Sequence, residues 1–140
     1  LNSFINTVLE TRCGNPLSLC LIYSLVAQKM GMPVYGVNLP NHFILAYMDE
    51  NNVRHDMGNN NTHGVLFYIN PFSKGSLFDE NEIKDFLKSL NIPEQREFFE
   101  PCSNTQIIKR MITNLISAFQ EAGNASKINE LKALRDILDL

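Results

Sequence analysis

A chain of 140 residues that is 44% hydrophobic, with a net charge of -3, is long enough for one domain with a real core and too apolar for disorder. Its 12 Lys and Arg are scattered, with no basic run interleaved with aromatics, so nothing drives it electrostatically toward nucleic acid or an anionic membrane. No apolar run reaches membrane-spanning length, since the stretch from Leu17 to Ala27 is interrupted by Ser18, Tyr23 and Ser24.

The opening residues Phe4, Ile5, Val8 and Leu9 recur at helical spacing and predict a short amphipathic helix. Arg12-Cys13-Gly14-Asn15 breaks it. Pro16 then suits the first position of a second helix, where a missing N–H costs nothing, and Asn15 suits its cap. Leu17, Leu19, Cys20, Leu21, Ile22, Leu25, Val26 and Met30 cover most of that helix's circumference, which predicts a helix buried all round. Gly31 ends it. The chain has no initiator Met and begins inside an apparent helix, so it reads as a piece of a longer protein.

After Pro33 the period changes to that of strands. Val34–Leu39 and His42–Met48 are two of them, with Asp49-Glu50-Asn51-Asn52 as a hairpin turn and Val53 to Asp56 as a continuation. Gly58-Asn59-Asn60-Asn61 is a polar loop. Val65–Ile69 is a third strand, stopped by Asn70-Pro71. Asp79 caps a helix reaching Leu90, with Glu82 placed for a capping box. Ser103 or Asn104 caps a longer helix to Ala122, ended by Gly123, and a last helix runs from about Lys127 to Leu140. These two helices form a hairpin in which Ile108, Met111, Ile112, Leu115, Ile116 and Phe119 face Ile128, Leu131, Leu134, Ile137 and Leu138. The stretch Ala118 to Asn124 followed by Lys127 is faintly like the turn of a tetratricopeptide repeat, but one hairpin is no array. The division expected is a core over 1–102 and a helical hairpin over 103–140.

Cys13, Cys20 and Cys102 are odd in number and irregular in spacing, which is neither a disulfide framework nor a zinc pattern. Reduced thiols in the cytoplasm are the expectation. His55, Asp56 and His63 flank a flexible segment at non-helical spacing, so a polar surface loop is expected there rather than a metal site. No phosphate-cradling Gly-rich loop and no other cofactor motif occurs.

Three separated segments resemble the transglutaminase-like superfamily, and within it the SirB-type proteins, whose second-type transglutaminase core precedes helical repeats. They are Arg12-Cys13-Gly14-Asn15-Pro16-Leu17-Ser18-Leu19, Gly36-Val37-Asn38-Leu39-Pro40-Asn41-His42-Phe43 and Asn70-Pro71-Phe72-Ser73-Lys74-Gly75. The resemblance implies an α+β, papain-like core with a buried N-terminal helix on a small antiparallel sheet, and a bacterial setting. It also implies a Cys at the start of the core helix, a His as its base and an Asp or Asn orienting that His. Counting back roughly fifteen residues from Gly31, the nucleophile position is Pro16, which offers no nucleophile. The orienting position is Asn70, where SirB-type proteins commonly carry Asp, and an amide there is the milder change. The triad implied is Pro16, His42 and Asn70.

Bland readings stand beside these. His42 is either part of a retained pocket or a ring hydrogen-bonded under a loop. Asn70 before a proline is an ordinary turn residue. Cys20 is core filler before it is a nucleophile, because an apolar setting raises a thiol pKa. Cys13, in the loop before the helix, is the better-placed alternative thiol. Ser18 has no nucleophile-elbow pattern around it. Two functions follow. One is a non-catalytic module binding a protein or peptide at a cleft formed by Asn15, His42 and Asn70. The other is a thiol hydrolase, amidase or acyltransferase using Cys13 or Cys20 with His42. Neither nucleic acid nor membrane is an expected partner, and the sequence is silent on oligomeric state.

Overall fold

The computed structural model describes residues 3–51 and 63–139. Helix α1 (Ile5–Thr11) leads to α2 (Pro16–Lys29), then to strands β1 (Val34–Leu39) and β2 (His42–Met48). Strand β3 (Val65–Asn70), a 3-10 turn (Pro71–Ser73) and strand β4 (Ser76–Phe78) follow, then α3 (Glu80–Ser89) and a second 3-10 turn (Arg96–Phe98). Helices α4 (Asn104–Glu121) and α5 (Ala125–Ile137) complete the chain. The strands form one antiparallel sheet in the order β1-β2-β3-β4, so the architecture is α+β.

Strand alternation divides the core in two. Phe43 and Leu45 of β2 join Val34 and Ile69 in a cluster covered by Leu17, Cys20 and Ala27 of α2. Ile44 and Ala46, from the same strand, point the other way and join Val37, Leu39, Val65 and Tyr68 under Ile83 and Leu87 of α3 and Phe98 and Phe99. The second layer is tied down by the Tyr68 hydroxyl, which donates to the Phe99 carbonyl at 2.6 Å. Helix α4 lays Ile107 and Met111 against the α2-side cluster, and the Cys102 N–H donates to the Gly36 carbonyl on β1. A Cβ on Gly36 would sit 2.5 Å from the Phe43 ring, so only glycine lets that ring lie across β1.

The ends of the helices follow local chemistry. Asn15, Asp79 and Ser103 each form a reciprocal capping box, with Ser18, Glu82 and Gln106 respectively. Gly14 is required beside the first of these, because a Cβ there would meet Ser18 Oγ at 2.7 Å. The β1–β2 hairpin turns at Pro40-Asn41, where Asn41 takes the left-handed conformation (φ 56°) that asparagine tolerates.

Four expectations change. Helix α2 is not buried all round: Leu25 and Val26 are 53% and 55% exposed, as are Tyr23 and Met30 in similar measure. The sheet covers one side of α2, and among the described residues no second layer covers the other. In the terminal hairpin Ile112 and Ile116 are buried, but Ile108, Leu134 and Ile137 are exposed, and α5 buries no residue. A lone pair of helices has too few neighbours to cover both apolar stripes. The last helix starts at Ala125, because Asn124 caps it by accepting from the Lys127 N–H, and it stops at Ile137. Strand β3 reaches Asn70, and β4 is an addition that three residues could not announce. The continuation expected over Val53 to Asp56, and the loop 58–61, lie outside the described residues.

Truncation on the two sides of α2 separates the layers. Leu17→Ala is expected to cost about 2–5 kcal/mol, as a large-to-small change in a packed core. Leu25→Ala should stay within about 0.5 kcal/mol. Urea unfolding midpoints at constant m-value measure both; equal losses would mean that α2 is enclosed after all.

Candidate functional site

The pairing of β2 with β3 brings two of the implied residues together. Leu45 is opposite Ile69, so His42 lies near the end of β3 on the same face as Asn70. Asn70 Nδ2 stands 3.2 Å from His42 Nε2. The imidazole is half-buried, and its centroid is 6.1 Å from that of Phe86 on α3. Asn70 does two things at once. Its Oδ1 accepts from the N–H groups of Phe72 and Ser73 at 3.2 and 3.3 Å, capping the 3-10 turn, and its Nδ2 donates to Ser73 Oγ at 3.2 Å. The turn residue and the imidazole neighbour are one side chain.

Pro16 occupies the first position of α2, as its ring geometry favours. Cys20 Sγ is 3.3 Å from the Phe43 carbonyl, and Gln28 Nε2 donates to the Val34 carbonyl at 2.8 Å, where Val34 is opposite Tyr47. Cys20 to Gln28 spans about 12 Å of helix, and Phe43 to Tyr47 spans about 13 Å of strand. Helix α2 therefore runs parallel to β2, and one turn back from Cys20 sets the start of the helix near the Asn41–His42 end of that strand. It also packs against the Pro71–Ser73 turn that Asn70 caps. The first turns of α2 cover the face of Phe43, whereas His42 shares the face of Ile44 and Phe86.

Asn15 is committed to its cap. Its Oδ1 accepts from the Ser18 N–H at 2.8 Å, its own N–H donates to Ser18 Oγ at 3.0 Å, and its Nδ2 donates to Ser3 Oγ at 3.0 Å. Ser18 Oγ also donates to the Asn15 carbonyl, so this buried hydroxyl serves backbone. Cys20 is fully buried, donates its S–H to the Phe43 carbonyl, and has its thiol pushed up to about 12 by burial. A thiol held there is protonated and inert at neutral pH. Cys13 is exposed in the loop before α2, and its N–H donates to Thr11 Oγ1. Cys102 is half-buried; burial raises its thiol, while the nearby Arg110 guanidinium works the other way.

Arg110 was invisible in the sequence pattern. It reaches from α4 to the β1–β2 hairpin, where Nη1 donates to Asn38 Oδ1 and, at 3.0 Å, to the Leu39 carbonyl. These partners are 72 and 71 residues away, a separation that no local periodicity encodes. A cavity of about 470 Å³ beside this hairpin is lined by Leu39, Pro40, Cys102, Gln106 and Arg110, but by none of Pro16, His42 and Asn70. His63 is more enclosed than a surface loop residue. It stacks on Phe99 at 4.9 Å and lies 3.8 and 3.4 Å from the carboxylates of Glu80 and Glu100. His55 and Asp56 lie outside the described residues.

Burial, and then the Arg110 charge, hold the His42 ring below its ordinary pKa of 6.5. An unfolded His42 thus takes up a proton at higher pH than the folded one. Its contribution to stability is complete above about pH 6.5 and is lost as the pH falls toward the folded value. In wild type, the His42 titration followed by NMR should have its midpoint below 6.5. The stability difference between wild type and His42→Gln should shift against wild type from about pH 8 to about pH 5. A midpoint at or above the ordinary value would contradict this environment.

Comparison with known proteins agrees with the geometry of the core. Residues 1–113 match the sequence profile of the transglutaminase-like superfamily. A UPF0162 protein of Xylella fastidiosa is 29% identical over 124 residues, covering 84% of this chain and 40% of that protein. F-box only protein 21 of Mus musculus is 29% identical over 143 residues, covering 100% of this chain and 21% of the other. Protein SirB1 of Salmonella typhimurium is 26% identical over 122 residues, covering 84% and 40%. The chain thus spans two-fifths or less of the length of these relatives, and no solved structure matches it. By its profile match, and with SirB1 and UPF0162 proteins among its relatives, this chain belongs to the transglutaminase-like superfamily.

Proposed function

We propose that this transglutaminase-like core is a non-catalytic module that binds an extended peptide or protein segment. The observation that carries the reading is the state of the thiol side of the site. Proline stands at the implied nucleophile position, and Cys20, the thiol one turn further along α2, is buried, bonded to a carbonyl and held protonated. The thiol-enzyme alternative would then rest on Cys13 alone.

The surface around Asn70 favours a peptide. Phe72 and Leu77 are 54% and 63% exposed, and they belong to the 3-10 turn and strand that directly follow Asn70. Strand β4 is the edge of the sheet, and among the described residues no strand pairs with its outer side. An edge strand with apolar side chains beside it is the setting in which an extended segment adds as a further strand. The same core occurs in relatives of very different total length, as expected of a unit combined with other segments. The proposal includes a boundary near residue 102, with the α4–α5 hairpin as a docking surface through its exposed Ile108, Leu134 and Ile137. It also includes a cytoplasmic setting, supported by three cysteines that form no disulfide. No helix among the described residues is long and apolar enough to cross a membrane.

Peptides selected from a random extended library against the full chain provide the test. Bound peptides should perturb the amide resonances of residues 70–78. Phe72→Ser and Leu77→Ser should each weaken binding by about tenfold, a loss of roughly 1.4 kcal/mol, without lowering the melting temperature. Selected peptides that bind elsewhere and tolerate both changes would remove this site from the reading.

A further inference from the structure

The hydrogen bonds around Asn70 determine where the proton of His42 sits. An Asn side chain has one acceptor oxygen and one donor NH2, and which end faces the imidazole follows from what the other end must face. Here the oxygen faces the N–H groups of Phe72 and Ser73. Backbone N–H groups only donate, so exchanging the two ends would set NH2 against two donors. The amide cannot be turned around without losing both caps. Its NH2 is therefore the end toward the ring: one hydrogen goes to Ser73 Oγ at 3.2 Å, and the other points at His42 Nε2, also at 3.2 Å. A donor directed at Nε2 requires a lone pair there. In neutral imidazole the proton then belongs on Nδ1.

We propose that Asn70 is a positioning residue that holds His42 as the Nδ1–H tautomer, so that the ring presents a proton donor, and no base, at its free edge. Asn70 is the ring's one hydrogen-bond partner among the described residues, and no buried side-chain nitrogen or oxygen there lacks a partner. Nδ1 is thus not sealed in the core, and an occupant of the site would meet it there. A carboxylate at position 70 would do the reverse. It would accept the backbone N–H groups and also accept from Nε2–H, leaving the Nδ1 lone pair free to take a proton. An amide orients a triad histidine as a base only when its oxygen faces the ring N–H; with its NH2 toward the ring it selects the other tautomer and disables the base. The amide here is wired in the disabling direction, because its oxygen is occupied by the Pro71–Ser73 turn. A thiol brought to this edge would find no proton acceptor. The group that fits is an acceptor oxygen, such as a main-chain carbonyl.

The tautomer of His42 does not depend on whether a peptide binds along β4, so its test stands apart from that of the proposed module. Long-range proton–nitrogen correlation spectra of the uniformly 15N-labelled full chain, recorded well above the His42 midpoint, read the tautomer without any substitution. The expected result is a protonated-type Nδ1 and a bare-type Nε2. Asn70→Asp should exchange the two assignments and move the His42 titration midpoint up by about one pH unit or more. Ser73→Ala, which removes only the hydroxyl acceptor, should leave the tautomer as in wild type. A wild-type ring with a bare Nδ1 would overturn the proposal, and so would an Asn70→Asp ring unchanged in tautomer.

Discussion

Strand β2 supplies the constraint on which the rest of the structure depends. Four consecutive residues, Phe43, Ile44, Leu45 and Ala46, are all buried, and they alternate between two clusters on opposite sides of one sheet. A strand buried on both faces cannot slip by one residue without sending each side chain to the wrong layer. The register with β3 is therefore strongly specified, and with it the placement of His42 beside Asn70. The same alternation seats α2 on one face and α3 on the other. Leu17 and Cys20 of α2 thus cover the Phe43 side of the strand, while His42 lies on the side of Ile44, near Phe86.

Three separate features bear on the chemistry of the site. Pro16 has no heteroatom to offer, Cys20 has spent its S–H on the Phe43 carbonyl in an apolar setting, and Asn70 has spent its oxygen on the turn that follows it. Burial and the Arg110 guanidinium both favour a neutral His42 ring. Each of these alone would weaken a thiolate–imidazolium pair. Together they are the observations that support the proposed non-catalytic reading, with exposed Phe72 and Leu77 next to the site.

Much of this was legible because it is local. The Asn15-Pro16 start, the Asp79–Glu82 and Ser103 caps and the change of period after Pro33 are written within four residues of one another, and the structure places those elements accordingly. What escaped is non-local or too short. Exposure of Leu25 and Val26 depends on how many layers surround α2, which the helix's own composition does not contain. Arg110 meets Asn38 across 72 residues. Strand β4 has three residues and gives no periodicity to read. The motifs could name His42 and Asn70, but not which end of the amide faces the ring, since that depends on the Phe72 and Ser73 N–H groups closing back on Oδ1.

The central claim is that no thiol of this chain works with His42. Labelling by iodoacetamide, followed separately at Cys13, Cys20 and Cys102 in native wild type and His42→Ala over a range of pH, tests it most directly. The rate profile of every cysteine should be the same in both proteins, with Cys20 unlabelled until the fold opens. Labelling of any one cysteine near neutral pH that is rapid in wild type and lost with His42→Ala would reveal a working thiol–imidazole pair and contradict it.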